Sequence, residues 1–87
     1  MNRQDELLTV LAEECAEVIV ECSKIKRFGA DSEYNGETAL ERLEKEIGDL
    51  MCMIDLLHEE DMVSFTKLDE YANMKHKKLR QWSNLID

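Results

Sequence analysis

Two short acidic steps hold the residues best suited to chemistry, Glu13-Glu14-Cys15-Ala16-Glu17 and Glu46-Ile47-Gly48-Asp49. Each has two carboxylates three residues apart, Glu14 with Glu17 and Glu46 with Asp49. On a helix that spacing puts both on one side, one turn apart. If the two steps face each other across a helix pair, four carboxylates converge on one point. Such a cluster repels itself unless a hard cation sits within it, and an all-oxygen ligand set suits Mg²⁺ or Mn²⁺. A charge stripe on a helix is more often a solvated face. Here, however, both steps adjoin apolar stripes: Glu14 neighbours Leu7, Leu11 and Val18, and Glu46 neighbours Leu43, Ile47 and Leu50. Flanking positions of this kind become interior in a four-helix bundle.

Helices must position these steps. The first is expected to start at Asn2, an N-cap, with Asp5 and Glu6 near its first turn. Its apolar stripe reads Leu7, Leu8, Leu11, Cys15, Val18, Ile19, Cys22 and Ile25. It ends at Lys26-Arg27-Phe28-Gly29, with cations in the last turn and a glycine C-cap. Ala30 to Gly36 reads as a loop. Thr38 and Glu41 form a capping box for the second helix, whose apolar face is Leu40, Leu43, Ile47, Leu50, Met51, Ile54 and Leu57. Arg42 is the one cation in the flanking row, a turn before Glu46, where it is expected to offset part of the carboxylate repulsion. Glu59-Glu60-Asp61 is acidic where a helix C-terminus disfavours it, so a break follows, with Asp61 or Ser64 as the next cap. The third helix is expected from about Ser64 to Trp82, with Phe65, Leu68, Tyr71, Ala72, Leu79 and Trp82 on one side and a frayed tail from Ser83 to Asp87.

Composition agrees with an all-α protein. The 87 residues contain no proline and three glycines, with 44% hydrophobic and 36% charged residues, enough for one small domain spanning 1–87. Three helices of this length bury a modest core alone, so a second copy is expected to complete a four-helix-bundle core by homodimerisation. A net charge of −9 argues against nucleic acid as a partner. Cys15, Cys22 and Cys52 include no paired motif; they read as reduced core residues of a cytoplasmic protein. The first residues are polar and no apolar run approaches a bilayer's thickness, so neither a secretory signal nor a membrane is expected.

Lys24, Arg27, Lys75 and Lys78 lie apart from the acidic steps, where the tail of an anion could reach them. Lys75 falls in the middle of the third helix's apolar stripe, which calls for an acidic partner or an anionic ligand. Tyr34 and Trp82 could stack on a base, but packing is the simpler role for both. His58 follows Asp55 by three residues, as in di-iron bundles; the first helix offers no matching histidine, so that site is not expected. His76 reads as solvent-exposed.

The order of these motifs resembles the MazG-like all-α nucleoside triphosphate pyrophosphohydrolases, in particular their small, phage-type members. The EExxE of Glu13 to Glu17 precedes the ExxD of Glu46 to Asp49 by 28 residues, at the long end for the family. Lys24-Ile25-Lys26-Arg27-Phe28-Gly29 is similar to the family's K-x-x-R-F-G, and Lys75-His76-Lys77-Lys78-Leu79 to its K-x-x-K-L. The likeness covers roughly residues 6 to 82. It implies Mg²⁺-dependent hydrolysis of a (deoxy)nucleoside triphosphate to the monophosphate and pyrophosphate, by a homodimer or homotetramer. Glu14, Glu17, Glu46 and Asp49 would hold the metal, and Glu13 or Glu17 would be the general base. Lys24, Arg27, Lys75 and Lys78 would clamp phosphate oxygens, with Asn73 reaching a base or ribose. Met53 stands where several relatives carry an aromatic or polar residue, which leaves base selection open. Phosphoribosyl-ATP pyrophosphohydrolase and dUTPase-like or dCTPase-like specialists are alternatives within the superfamily. From another class, a non-catalytic acidic helical dimerisation module would have all these charges solvated.

Overall fold

A computed structural model describes residues 1–86. The order is α1 (Arg3–Phe28), a two-stranded antiparallel ribbon β1 (Glu33–Tyr34) and β2 (Glu37–Thr38), α2 (Ala39–Glu59) and α3 (Phe65–Trp82). The all-α expectation therefore holds, with one addition: the Ala30–Gly36 loop carries a small hairpin. Asn35 and Gly36 turn it with φ of 52° and 81°, the left-handed pair that a two-residue hairpin turn requires. Asn-Gly flanked by Tyr34 and Glu37 was the signal for it.

Each helix begins and ends where local chemistry directs. The Asp5 N–H donates to the Asn2 side chain at 2.8 Å. The Glu41 N–H donates to the Thr38 hydroxyl at 3.2 Å, while the Thr38 N–H donates to the Glu41 carboxylate at 3.1 Å, a complete capping box. Gly29, at φ 96°, ends α1, its N–H donating to the Ile25 carbonyl at 2.8 Å. Ser64 caps α3, accepting from the Lys67 N–H at 3.4 Å. Asp61 instead sits at φ 56° in the turn that follows α2. The tail from Ser83 carries no regular helix, and Asp87 lies outside the described residues.

α1 and α2 form an antiparallel hairpin. Leu7, Met53 and Leu57 are its buried centre, with Val10, Leu11, Leu56, Met62 and Val63 packed around them. Farther along, the seam continues through Glu14, Val18, Glu21 and Ile25 on α1 and through Leu50, Glu46, Leu43, Arg42 and Ala39 on α2, all withdrawn from solvent. This seam is rotated from the expected apolar stripe. Leu8, Ile19, Leu40, Ile47 and Met51 remain exposed, as do Cys15, Cys22 and Cys52, so the core placement expected for the cysteines does not hold within one chain. The reason is that α1 and α2 each carry more apolar surface than one partner helix can cover, and polar Glu14 and Glu21 take seam positions.

α3 stands apart. None of its residues is buried: Phe65 is 42% exposed, Leu68 36%, Tyr71 62% and Trp82 84%. Its first residue stacks on α2, the rings of Phe65 and His58 lying 3.9 Å apart at 14°. The Cα extents of 39 × 38 × 15 Å describe a slab about as thick as two packed helices. A collinear α2 and α3 would span about 60 Å, and packing alongside the hairpin would bury an α3 face. Neither holds, so α3 leaves the hairpin at a steep angle within the slab. No described helix is long and apolar enough to cross a membrane.

Candidate metal centre

The two acidic steps meet midway along the α1–α2 seam. Carboxylate oxygens of Glu14, Glu46 and Asp49 all lie within 4.8 Å of one another. Glu14 and Glu46 are half-buried because their neighbours in the seam, Leu11, Val18, Leu43 and Leu50, draw both helices together there; Asp49 opens the group to solvent. Glu17, the fourth expected ligand, is exposed and outside this triad, and Glu13 is exposed as well. Glu17 is still close enough to act electrostatically. Partial burial, reinforced by the negative charges of Asp49, Glu17, Glu14 and Glu21, holds the Glu46 carboxyl above the ordinary carboxylate range.

One atom tests whether a cation fits. The Oε2 of Glu14 is buried and has no hydrogen-bond partner. A buried carboxylate oxygen without a donor is costly, and the side chains beside it are two further carboxylates, which accept and do not donate when ionised. A hard divalent cation would satisfy that oxygen and the mutual repulsion together, and the oxygen-only donor set fits Mg²⁺ or Mn²⁺.

Arg42 does not serve this cluster. Its Nε lies 3.4 Å from a Glu21 oxygen, and its Nη1 donates to the Glu37 carbonyl at 2.7 Å. Glu21, 5% exposed, was the functional-looking residue that sequence reasoning passed over; its spacing, one turn beyond Glu17 in the same stripe, was the only signal. Lys24 lies 3.7 Å from the other Glu21 oxygen and lines a cavity of about 340 Å³ with Phe28, Ser32, Glu33, Tyr34 and Arg42. Lys45 donates to Glu37 at 2.8 Å, and that bond, with Glu46 and Asp49 nearby, raises its pKa.

Of the remaining expected phosphate ligands, Arg27 sits 4.9 Å over the Phe28 ring at the end of α1. Asn73, Lys75 and Lys78 are exposed on α3, away from the seam. Tyr34 and Trp82 pack against little and remain solvent-facing, whereas Met53, one turn after Asp49, is core. The structure thus assembles three of the carboxylates and one cation, Lys24, along the hairpin, and leaves the α3 residues apart. In comparisons with known proteins, no family model, no curated protein and no solved structure matches the chain.

Proposed function

We propose that this chain is a Mg²⁺-dependent nucleoside triphosphate pyrophosphohydrolase that works as a homodimer or homotetramer. The observation that carries the reading is the triad of Glu14, Glu46 and Asp49 with the orphaned Glu14 oxygen inside it. These three residues would hold the metal, with Glu17 able to join them by a rotamer change. Bound there, a divalent cation supplies phosphate charge neutralisation and activates water.

The chain's own groups account for the rest. Glu17, exposed at the mouth, accepts the proton of the attacking water; Glu13 is the alternative. Water adds to phosphorus, the bond bridging the α and β phosphates breaks, and the monophosphate and pyrophosphate leave. Lys24, one turn past Glu21 on the Glu17 side of α1, holds phosphate oxygens, and Arg27, Lys75 and Lys78 extend that clamp. Asn73 contacts ribose or base. The Glu21–Arg42 pair is structural, fixing the spacing of α1 and α2 beside the cluster.

The test is pyrophosphate release with Mg²⁺ across all standard nucleoside triphosphates, deoxy forms, dUTP, dCTP and phosphoribosyl-ATP. Turnover abolished by Glu46→Gln or Asp49→Ala and by excess chelator is expected. A chain with no turnover on any of these and a melting temperature indifferent to Mg²⁺ is the acidic dimerisation module instead.

A further inference from the structure

We propose that the cavity beside the β1–β2 ribbon is a base-binding subsite: Phe28 and Tyr34 stack on a nucleobase there, and Glu33 selects guanine. The inference rests on the pyrophosphohydrolase reading for the phosphates at the other end of the ligand, but the walls of the cavity carry the assignment of the base.

The cavity and the acidic triad share one face of the hairpin. On α1, Glu14, Glu17, Glu21, Lys24 and Phe28 follow one another at spacings of three, four, three and four, a single continuous row. On α2, Asp49, Glu46 and Arg42 do the same. Both rows run from the triad into the cavity of about 340 Å³, which Lys24 and Phe28 line from α1 and Arg42 from α2. Arg42 is one turn, about 6 Å, from Glu46, and Lys24 is two turns, about 10 Å, from Glu17. A ribose and its α-phosphate cover that distance. A nucleotide whose phosphates meet the triad therefore delivers its base to the cavity.

The walls suit a flat, uncharged ligand that forms hydrogen bonds. Phe28 and Tyr34 are 62% and 68% exposed, two aromatic rings left open to solvent, and every base has a face to lay on such rings. Glu21 sits between the two cations, 3.7 Å from Lys24 and 3.4 Å from Arg42, and Glu33 adds a second carboxylate. Two cations against two carboxylates leave the wall without net charge, which disfavours a free anion as the occupant. The volume lies at the small end for ligand sites, with room for one base. The ribbon is also held in place before any ligand arrives. The Ala39 N–H donates to the Ser32 carbonyl at 2.9 Å, the Leu40 N–H to the Ala30 carbonyl at 3.2 Å, and Arg42 to the Glu37 carbonyl at 2.7 Å. Such pre-organisation lowers the cost of binding. Glu33 decides among the bases. An ionised carboxylate only accepts, and guanine presents N1–H and its 2-amino group side by side for a bidentate pair. Uracil and thymine present one N–H between two carbonyls, which a carboxylate repels.

The first experiment measures kcat and KM for pyrophosphate release from GTP, ITP, ATP, CTP and UTP. GTP should have the lowest KM, and ITP, which lacks only the 2-amino group, one about tenfold higher with kcat retained. Glu33→Gln should bring the GTP and ITP values together, and Tyr34→Leu should raise KM for GTP about tenfold or more. Circular dichroism confirms that both variants fold. A lowest KM for any base other than guanine, or variants with the wild-type KM values, overturns the inference. A second measurement does not depend on turnover or metal. The ¹⁵N-labelled chain in EDTA is titrated with GMP and with UMP, and its amide resonances are followed. Shifts at Phe28, Tyr34 and Gly36 are expected with GMP, smaller ones with UMP and none in Tyr34→Leu. Equal shifts with UMP, shifts confined to other residues, or no shifts overturn it. If wild type releases no pyrophosphate yet GMP moves these amides, the hydrolase reading fails and the base subsite stands.

Discussion

Arg42 pairs with Glu21 across the hairpin, 3.4 Å from its carboxylate, and not with Glu46 one turn along its own helix. The same guanidinium also holds the Glu37 carbonyl, so one side chain ties α1, β2 and α2 together. Breaking a buried pair by removing one member strands the other, at a cost of about 3 kcal/mol or more. Arg42→Ala is expected to fall at the low end, because Lys24 still reaches Glu21. For a chain of this size that lowers the melting temperature by more than about 10 °C. Replacing both members, Glu21→Leu with Arg42→Leu, should recover most of the loss; a double variant as unstable as the single one would refute the account.

Glu46 makes the metal-free protein sensitive to pH. Its folded pKa lies above its unfolded one because of burial and then Asp49, Glu17, Glu14 and Glu21. Folding therefore takes up a proton between those two values, and the stability that protonation provides is lost as pH rises through the folded pKa. In chelator, the urea midpoint should fall as pH climbs out of the ordinary carboxylate range. Glu46→Gln should show less of that decline and be the more stable protein above it. Equal slopes for the two proteins would contradict the electrostatic argument.

A divalent metal held by the triad is expected to reverse this trend. A divalent ion displaces the proton and removes the repulsion, so Mg²⁺ at about 100 times its Kd should add about 2.7 kcal/mol. The melting temperature should then rise with Mg²⁺ concentration, and the proposed activity should rise from acid toward about pH 8 as ligands and water deprotonate. Asp49→Asn should abolish the thermal shift. A shift that survives this substitution places the ion elsewhere.

Helix ends were the most legible part of the fold, because Asn2, Gly29, Thr38 with Glu41, and Ser64 act on backbone groups within a few residues of themselves. The convergence of Glu14, Glu46 and Asp49 was legible too, since two i,i+3 steps on adjacent antiparallel helices have few ways to avoid meeting. What could not be read was which apolar surface faces which partner. Leu8, Cys15, Ile19 and Cys22 form as good a stripe as Leu7, Leu11, Val18 and Ile25, and hydrophobicity alone does not rank them. Arg42 was legible as a seam-flanking cation but its partner was expected to be Glu46, and Glu21 was legible only as one more carboxylate of the Glu14–Glu17 stripe; their pairing depends on how the two helices face each other. Lys75 at the centre of an apolar stripe was a real conflict, and within one chain α3 resolves it by staying in water.

Gly48 gives a last test, free of the charges around it. It lies between Glu46 and Asp49, but 200° around the helix from Glu46 and Leu50, so it faces away from α1. A Cβ built there meets nothing within 4 Å. Glycine in an exposed helix interior costs about 1 kcal/mol relative to alanine. Gly48→Ala should accordingly raise the melting temperature by about 4–8 °C. The positions of Glu46 and Asp49 are unaltered by the change, so the Mg²⁺-dependent shift should persist on top of it. A fall in melting temperature would mean that another backbone approaches this outer surface too closely for a methyl group.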